Sequence, residues 1–220
     1  LAQTSVLAEQ GYMLGLIDRN EMDVVQERFT ECQTLVDSQQ WRKAADYCDA
    51  IQDYIVNASG GVNINDVRSF GTSLPDFLNR YLNRSDVKAA MHVPDFVDYN
   101  VCPDPPFEAL RTDEMMCVKD LLPPLLARYP VLIYNGQFDL NCGIAGTETY
   151  LLSLQWPEAA AYRKAKKHIW RVEGDVAGYV RSAGRLTQLT VVDSGHLVPK
   201  NQPLFALRML SHLIDGTPFE

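Results

Sequence analysis

Residues 131–136, VLIYNG, are apolar without alternation and close on Asn-Gly. Such a run is stable as a strand only if helices cover both of its faces, the usual condition of a parallel sheet. A β-branched run further on, LTQLTVV at 186–192, leads into Asp193-Ser194-Gly195-His196, and Pro199 follows before an amphipathic stretch from Gln202 to Ile214 that Gly216 and Pro218 stop. Between them Thr147 to Leu154 has helical spacing, HIWRVEG reads as a strand, and GYVRSAG with LTQLTVV suggests paired strands. Strands alternating with helices place the chain in the α/β class.

Upstream of Pro130 the pattern is helical. Ser5 to Leu16 and Asn20 to Val36 carry apolar positions at three and four spacing, with Asp18-Arg19-Asn20 as the break, and Trp41 to Val56 repeats the pattern. Asn57 to Ser73 is rich in Gly, Ser and Asn and reads as an exposed loop. Two short helices follow, near Asp76 to Leu82 and after a Ser85 N-cap. A helix from about Asp113 to Arg128 is expected to kink at Pro123-Pro124. Residues 1–75 are therefore read as a helical cap or lid, and 76–220 as part of the α/β core.

A net charge of -8 opposes a polyanionic backbone, so nucleic acid is not an expected partner. No apolar run reaches the roughly 18 residues of a membrane span, so none is expected. Cys32, Cys48, Cys102, Cys117 and Cys142 contain no CxxC pair and no Cys/His cluster at zinc spacing, so neither a metal nor a cofactor is expected. Two sequons, at Asn57 and Asn83, are glycosylation candidates on a secretory route, and with the cysteines they favour an oxidising compartment.

Ligands of an open α/β sheet bind beyond the carboxyl ends of its strands. Asp139 follows one such end and His196 another. A carboxylate followed later in the chain by an imidazole matches the order Ser, Asp, His of α/β-hydrolases, in which the carboxylate fixes the imidazole tautomer and the imidazole takes the serine proton. Either residue could instead serve structure, His196 as a satisfied strand-end imidazole and Asp139 as the cap of a helix starting near Gly143. His92, His168 and His212 lack acidic or cysteine partners nearby in sequence and read as surface or packing residues.

YLNRSDVKAAMHV, VLIYNGQFDLNC and SGHLVPKNQPLFALRML resemble segments of the serine carboxypeptidase family, and WPEAAAYRKAKKHIWRVEGDVAGYVRSAG most resembles its vitellogenic carboxypeptidase-like branch. The resemblance implies the C-terminal half of an α/β-hydrolase sheet with a helical cap subdomain, a secreted, lysosomal or vacuolar address, and removal of C-terminal residues from peptide substrates. It implies Asp139 and His196 as catalytic residues, Asn135 and Gly136 as the turn before the aspartate, and Cys142 as a lining residue of the specificity pocket, although a buried inert thiol fits Cys142 equally. Cys32 and Cys48 can pair within the cap and Cys102 can bridge to an upstream half, but sequence leaves the connectivity open.

The family's nucleophile sits in a Gly-Glu-Ser-Tyr-Ala-Gly motif, and no serine of this chain lies in G-x-S-x-G. The expected partner is accordingly the N-terminal half of the same precursor, which would supply the serine and the oxyanion donors and cover the apolar edge of VLIYNG. A non-catalytic scaffold subunit and an acyltransferase on the same machinery stay open as alternatives.

Overall fold

The computed structural model describes residues 1–71 and 76–219. Its centre is a four-stranded mixed sheet of β1 (Val131–Gly136), β2 (His168–Val172), β3 (Asp175–Ala183) and β4 (Leu186–Val191), in the order β1-β4-β3-β2. β1 runs parallel to β4, with Tyr134 opposite Leu189 and Gly136 opposite Val191. β4, β3 and β2 form an antiparallel meander. Parallel pairing of β1 with β4 brings their carboxyl ends to one edge of the sheet, which is what puts Asp139 and His196 within reach of each other.

Side chains of opposite parity on the strands feed two cores. On one face Trp170, Val172, Leu189 and Val191 pack with Val198, Ala206 and Met209 of α10 (Val198–Asn201) and α11 (Pro203–Asp215). On the other, Leu186 packs with Leu126, Leu151, Trp156 and Tyr162 from α7 (Leu122–Leu126), α8 (Ile144–Ser153), α9 (Ala159–Lys164) and the α8–α9 connection. Gly216 ends α11 in the left-handed region at φ 65°, a conformation that costs glycine little.

The front of the chain folds as α1 (Leu7–Met13), α2 (Arg19–Asp37) and α3 (Trp41–Ala58). A capping box starts α2: Asp18 Oδ1 accepts the Glu21 N–H at 2.9 Å, and Glu21 Oε2 accepts the Asp18 N–H at 2.8 Å. Cys32 on α2 and Cys48 on α3 form a disulfide inside a core of Leu7, Val25, Ala44, Ile51 and Ile55. That core also takes in Leu140, from the loop that carries Asp139. The helical front is therefore packed directly onto the candidate site.

Two sequence expectations need correction. The stretch 113–128 is broken into two 3-10 turns and the five-residue α7, because Pro123 and Pro124 supply no backbone N–H and sit in its first turn. Ser85 is the first residue of α5 (Ser85–Ala90), and Arg84 holds the N-cap position without a side-chain cap bond. β1 lies at the end of the sheet order with Tyr134 exposed, and among the described residues no strand pairs with its outer edge, which is the uncovered edge expected of VLIYNG without an upstream half. α4 (Asp76–Leu82) and α6 (Asp104–Leu110) complete the described helices. The boundary placed at 75 and the end of the loop through Ser73 lie outside the described residues. Among those described, no helix is long and apolar enough to cross a membrane.

Candidate active site

Gly136 ends β1, and the turn that follows carries Asp139 down to the edge of the sheet. The turn is pinned by main-chain bonds to the segment after β4: Gln137 N–H donates to Val191 O at 3.0 Å and Phe138 N–H to Ser194 O at 2.8 Å. The contact is so close that a Cβ on Gly136 would lie 2.1 Å from the Gly195 carbonyl oxygen. Only glycine fits there, and its absence of a side chain lets the two loops touch.

The consequence is a bond between the two predicted residues. His196 Nδ1 lies 2.8 Å from Asp139 Oδ2. An ionised carboxylate only accepts, so Nδ1 carries the proton, and in the neutral imidazole Nε2 keeps a lone pair. The Asp139 side chain is 3% exposed and that of His196 40%, a sealed carboxylate beneath an accessible imidazole. A buried carboxylate has to be paired, and the second oxygen is also satisfied: Asp139 Oδ1 accepts the Cys142 N–H at 3.0 Å. Gly143, the N-cap of α8, receives no side-chain cap. Asp139 therefore braces the turn before α8 and orients the histidine at once.

His196 is held from several sides. Its N–H donates to Asn65 O at 2.7 Å, and the Gly195 N–H donates to Asn201 Oδ1 at 3.1 Å. Ser194, next to the histidine, is fully buried with its hydroxyl donating to Val191 O, so it is withdrawn from any nucleophilic role. Asn135 Nδ2 donates to Cys142 O at 2.7 Å, tying the end of β1 to the start of α8, while its buried Oδ1 has no protein partner among the described residues.

Cys142 stands beside the pair, half-buried; burial, and then the charge of Asp139, push its thiol above the usual range. Donor atoms of Asp139, Cys142 and His196 lie within 4.8 Å of one another, a convergence that the sequence spacing did not signal. At 2.8 Å, however, the carboxylate and imidazole are closer than two ligands of one tetrahedral zinc, which stand about 3.3 Å apart on bonds of about 2.0 Å. The geometry is that of a hydrogen-bonded acid–base pair.

The remaining histidines lie elsewhere. His92 and His168 are exposed, and His212 packs between Trp170 and Phe219 with Nδ1 2.8 Å from Thr217 Oγ1. The loop after α3, which the sequence presents only as exposed, supplies the Asn65 carbonyl that holds His196. Ile64 O accepts from both the Leu140 and the Asn141 N–H, at 2.9 and 3.0 Å. The one sequence hint was its run of turn-forming Asn63, Asn65 and Asp66, which says that the backbone folds back but not onto what.

The serine carboxypeptidase family model matches residues 2–216. The probable serine carboxypeptidase CPVL of Homo sapiens is 31% identical over 223 residues, covering 95% of this chain and 46% of that protein. The venom serine carboxypeptidase of Apis mellifera is 29% identical, covering 94% of this chain and 46% of that protein. The chain thus spans about half the length of these relatives. Among solved structures, KEX1(Δ)p, a prohormone-processing carboxypeptidase from Saccharomyces cerevisiae, superposes with a TM-score of 0.76 at 19% identity, over 98% of this chain and 52% of that one. The fold is accordingly that of an α/β-hydrolase, and the chain belongs to the serine carboxypeptidase family.

Proposed function

We propose that this chain contributes the orienting aspartate and the general base of a serine carboxypeptidase that removes C-terminal residues from peptides through an acyl-enzyme. The observation that carries the reading is the 2.8 Å bond between a sealed Asp139 and an accessible His196 at neighbouring strand ends. His196 Nε2 takes the proton of a serine hydroxyl as that oxygen attacks the scissile carbonyl, and returns it to the leaving amine; Asp139 holds the tautomer and stabilises the imidazolium. Water then repeats the sequence on the acyl-enzyme.

The serine and the oxyanion donors come, in this reading, from the N-terminal half of the same precursor, since no G-x-S-x-G occurs in the chain. The helical front, as far as residue 71, forms the cap over that combined site, and Cys142 lines its substrate-binding side. The exposed Cys102 is available for a disulfide to the other half. A secretory route, ending in a lysosome, a vacuole or outside the cell, is supported by the Cys32–Cys48 disulfide and by relatives described as venom and pheromone-processing carboxypeptidases. Asn57 is exposed at the end of α3 and open to a glycan. The Asn83 amide already donates to Asn79 O and Tyr99 O, so a sugar there would displace one of these bonds.

Turnover of a blocked dipeptide by the complete enzyme tests the proposal. His196→Ala is expected to lower kcat on the order of 10⁴-fold or more, and unchanged turnover would exclude the role. A fluorophosphonate should label the serine of the intact enzyme; a protein that never labels is a scaffold.

A further inference from the structure

The loop after α3 is attached at both halves of the acid–base pair. Val67 N–H donates to Phe138 O at 3.1 Å, beside Asp139, while Asn65 O accepts from His196 itself. A Cβ on Gly195 would lie 2.4 Å from Asn65 O and 2.7 Å from Asp66 Cβ, so the loop lies flush against the histidine segment. One side chain spans the whole junction. Arg68 forks onto Asp66, with Nε to Oδ1 and Nη2 to Oδ2 both at 2.8 Å, and its Nη1 donates to Asp193 Oδ1. Its guanidinium also lies over the Phe138 ring, 4.8 Å from the centroid.

Asp193 needs such a tether. It sits at φ 49°, in the left-handed region that disfavours a residue with a Cβ, three positions before His196. Besides Arg68, the Gln202 amide donates to its main-chain oxygen at 3.1 Å. The hydrogen bond from Arg68 holds the Asp66 carboxyl below the usual aspartate range. Arg68 is partly exposed and Asp193 exposed, so the bridge adds little to global stability. What it can set is geometry.

We infer that Arg68 is a positioning residue, which locks the Asp139 turn and the His196 segment in register by bridging Asp66, Asp193 and Phe138. This rests on the acid–base role proposed for Asp139 and His196, and extends it to a residue that touches neither. Misplacing a general base by about 1 Å costs on the order of 100-fold in rate.

In the complete enzyme, Arg68→Met is expected to lower kcat roughly 10- to 100-fold with KM within about twofold, and to broaden or remove the downfield proton resonance of the bonded His196 Nδ1–H. Asp193→Asn, which leaves the Arg68–Asp66 fork in place, should reproduce both effects without a change in melting temperature, so that misfolding is not mistaken for loss of alignment. Arg68→Lys, which keeps the charge without the fork, should fall between. The resonance persisting at its wild-type position and width in both Arg68→Met and Asp193→Asn would overturn the inference. Because that signal reports the imidazole–carboxylate bond directly, it decides the positioning role even in a protein that turns over no peptide, whereas absent turnover counts against the carboxypeptidase reading.

Discussion

Gly136 is the residue on which the acid–base pair turns, although it carries no chemistry. A Cβ there would meet Gly195 O at 2.1 Å and Ser194 O at 2.6 Å, and both are main-chain atoms that cannot swing aside. Gly136→Ala should therefore push the His196 segment away from β1. A stability loss of at least about 1–3 kcal/mol is expected, read as a lower denaturant midpoint, together with a fall in kcat of the complete enzyme; an unchanged midpoint would mean that the loops are not in contact. At this scale the pair itself was legible, because a carboxylate and an imidazole after two β-branched or apolar runs can be placed at strand ends by pattern. Arg68 and Asn65 were not. They act through contacts more than a hundred residues apart in sequence, or through a main-chain oxygen, and a loop of Asn, Gly and Ser has no periodicity to reveal an attachment.

Helices and strands were legible where burial imposes a period and illegible where prolines or missing neighbours override it. α2 and α3 follow their apolar spacing, and the Asp18–Glu21 box defines where one begins. The stretch 113–128 has the composition of a helix but cannot sustain one across two consecutive prolines. α9 illustrates how an element is tied down by one polar bond inside a core. Tyr162 is fully buried, stacked at a tilt on Trp156 with 5.6 Å between centroids, and its hydroxyl donates to Gln188 Oε1 of β4 at 2.5 Å. Burial pushes its ionisation from the usual 10 up to about 12. Below the lower value the folded and unfolded chains are both protonated. Between the two values only the unfolded chain ionises, so stability falls as pH rises through that window. Tyr162→Phe should flatten this alkaline limb in pH-dependent unfolding, while costing about 1–3 kcal/mol at neutral pH for the stranded Gln188 oxygen. An alkaline limb as steep as that of the parent would assign the effect to another group.

At the scale of the whole molecule the sheet is closed in its middle and open at β1. β4 buries Leu186 on one face and Leu189 and Val191 on the other, but Leu132, Tyr134, Pro203, Leu207, Leu210 and Leu213 line an apolar groove of about 410 Å³ between β1 and α11. Val131 N–H bonds to Arg185 O at 2.8 Å, and strand alternation then turns the Leu132 and Tyr134 N–H groups toward the outer edge of β1. A parallel strand with an apolar face and free edge amides is the surface that another strand of the same sheet would cover. That VLIYNG wants both faces buried was readable from its composition; which chain buries them was not, since the contacts lie with residues other than its own. The occupant proposed above is the N-terminal half of the precursor, and hydrogen exchange can test it at single amides. In this chain by itself Leu132 and Tyr134 should exchange rapidly while Leu189 on β4 stays protected. Co-expressed with the N-terminal half, the two β1 amides should slow on the order of 100-fold or more as they acquire carbonyl partners, and dye binding at the groove should vanish. Rates at Leu132 and Tyr134 that do not differ between the two preparations would mean that β1 is a true edge, and the serine would then have to reach His196 by a route that leaves the sheet unextended.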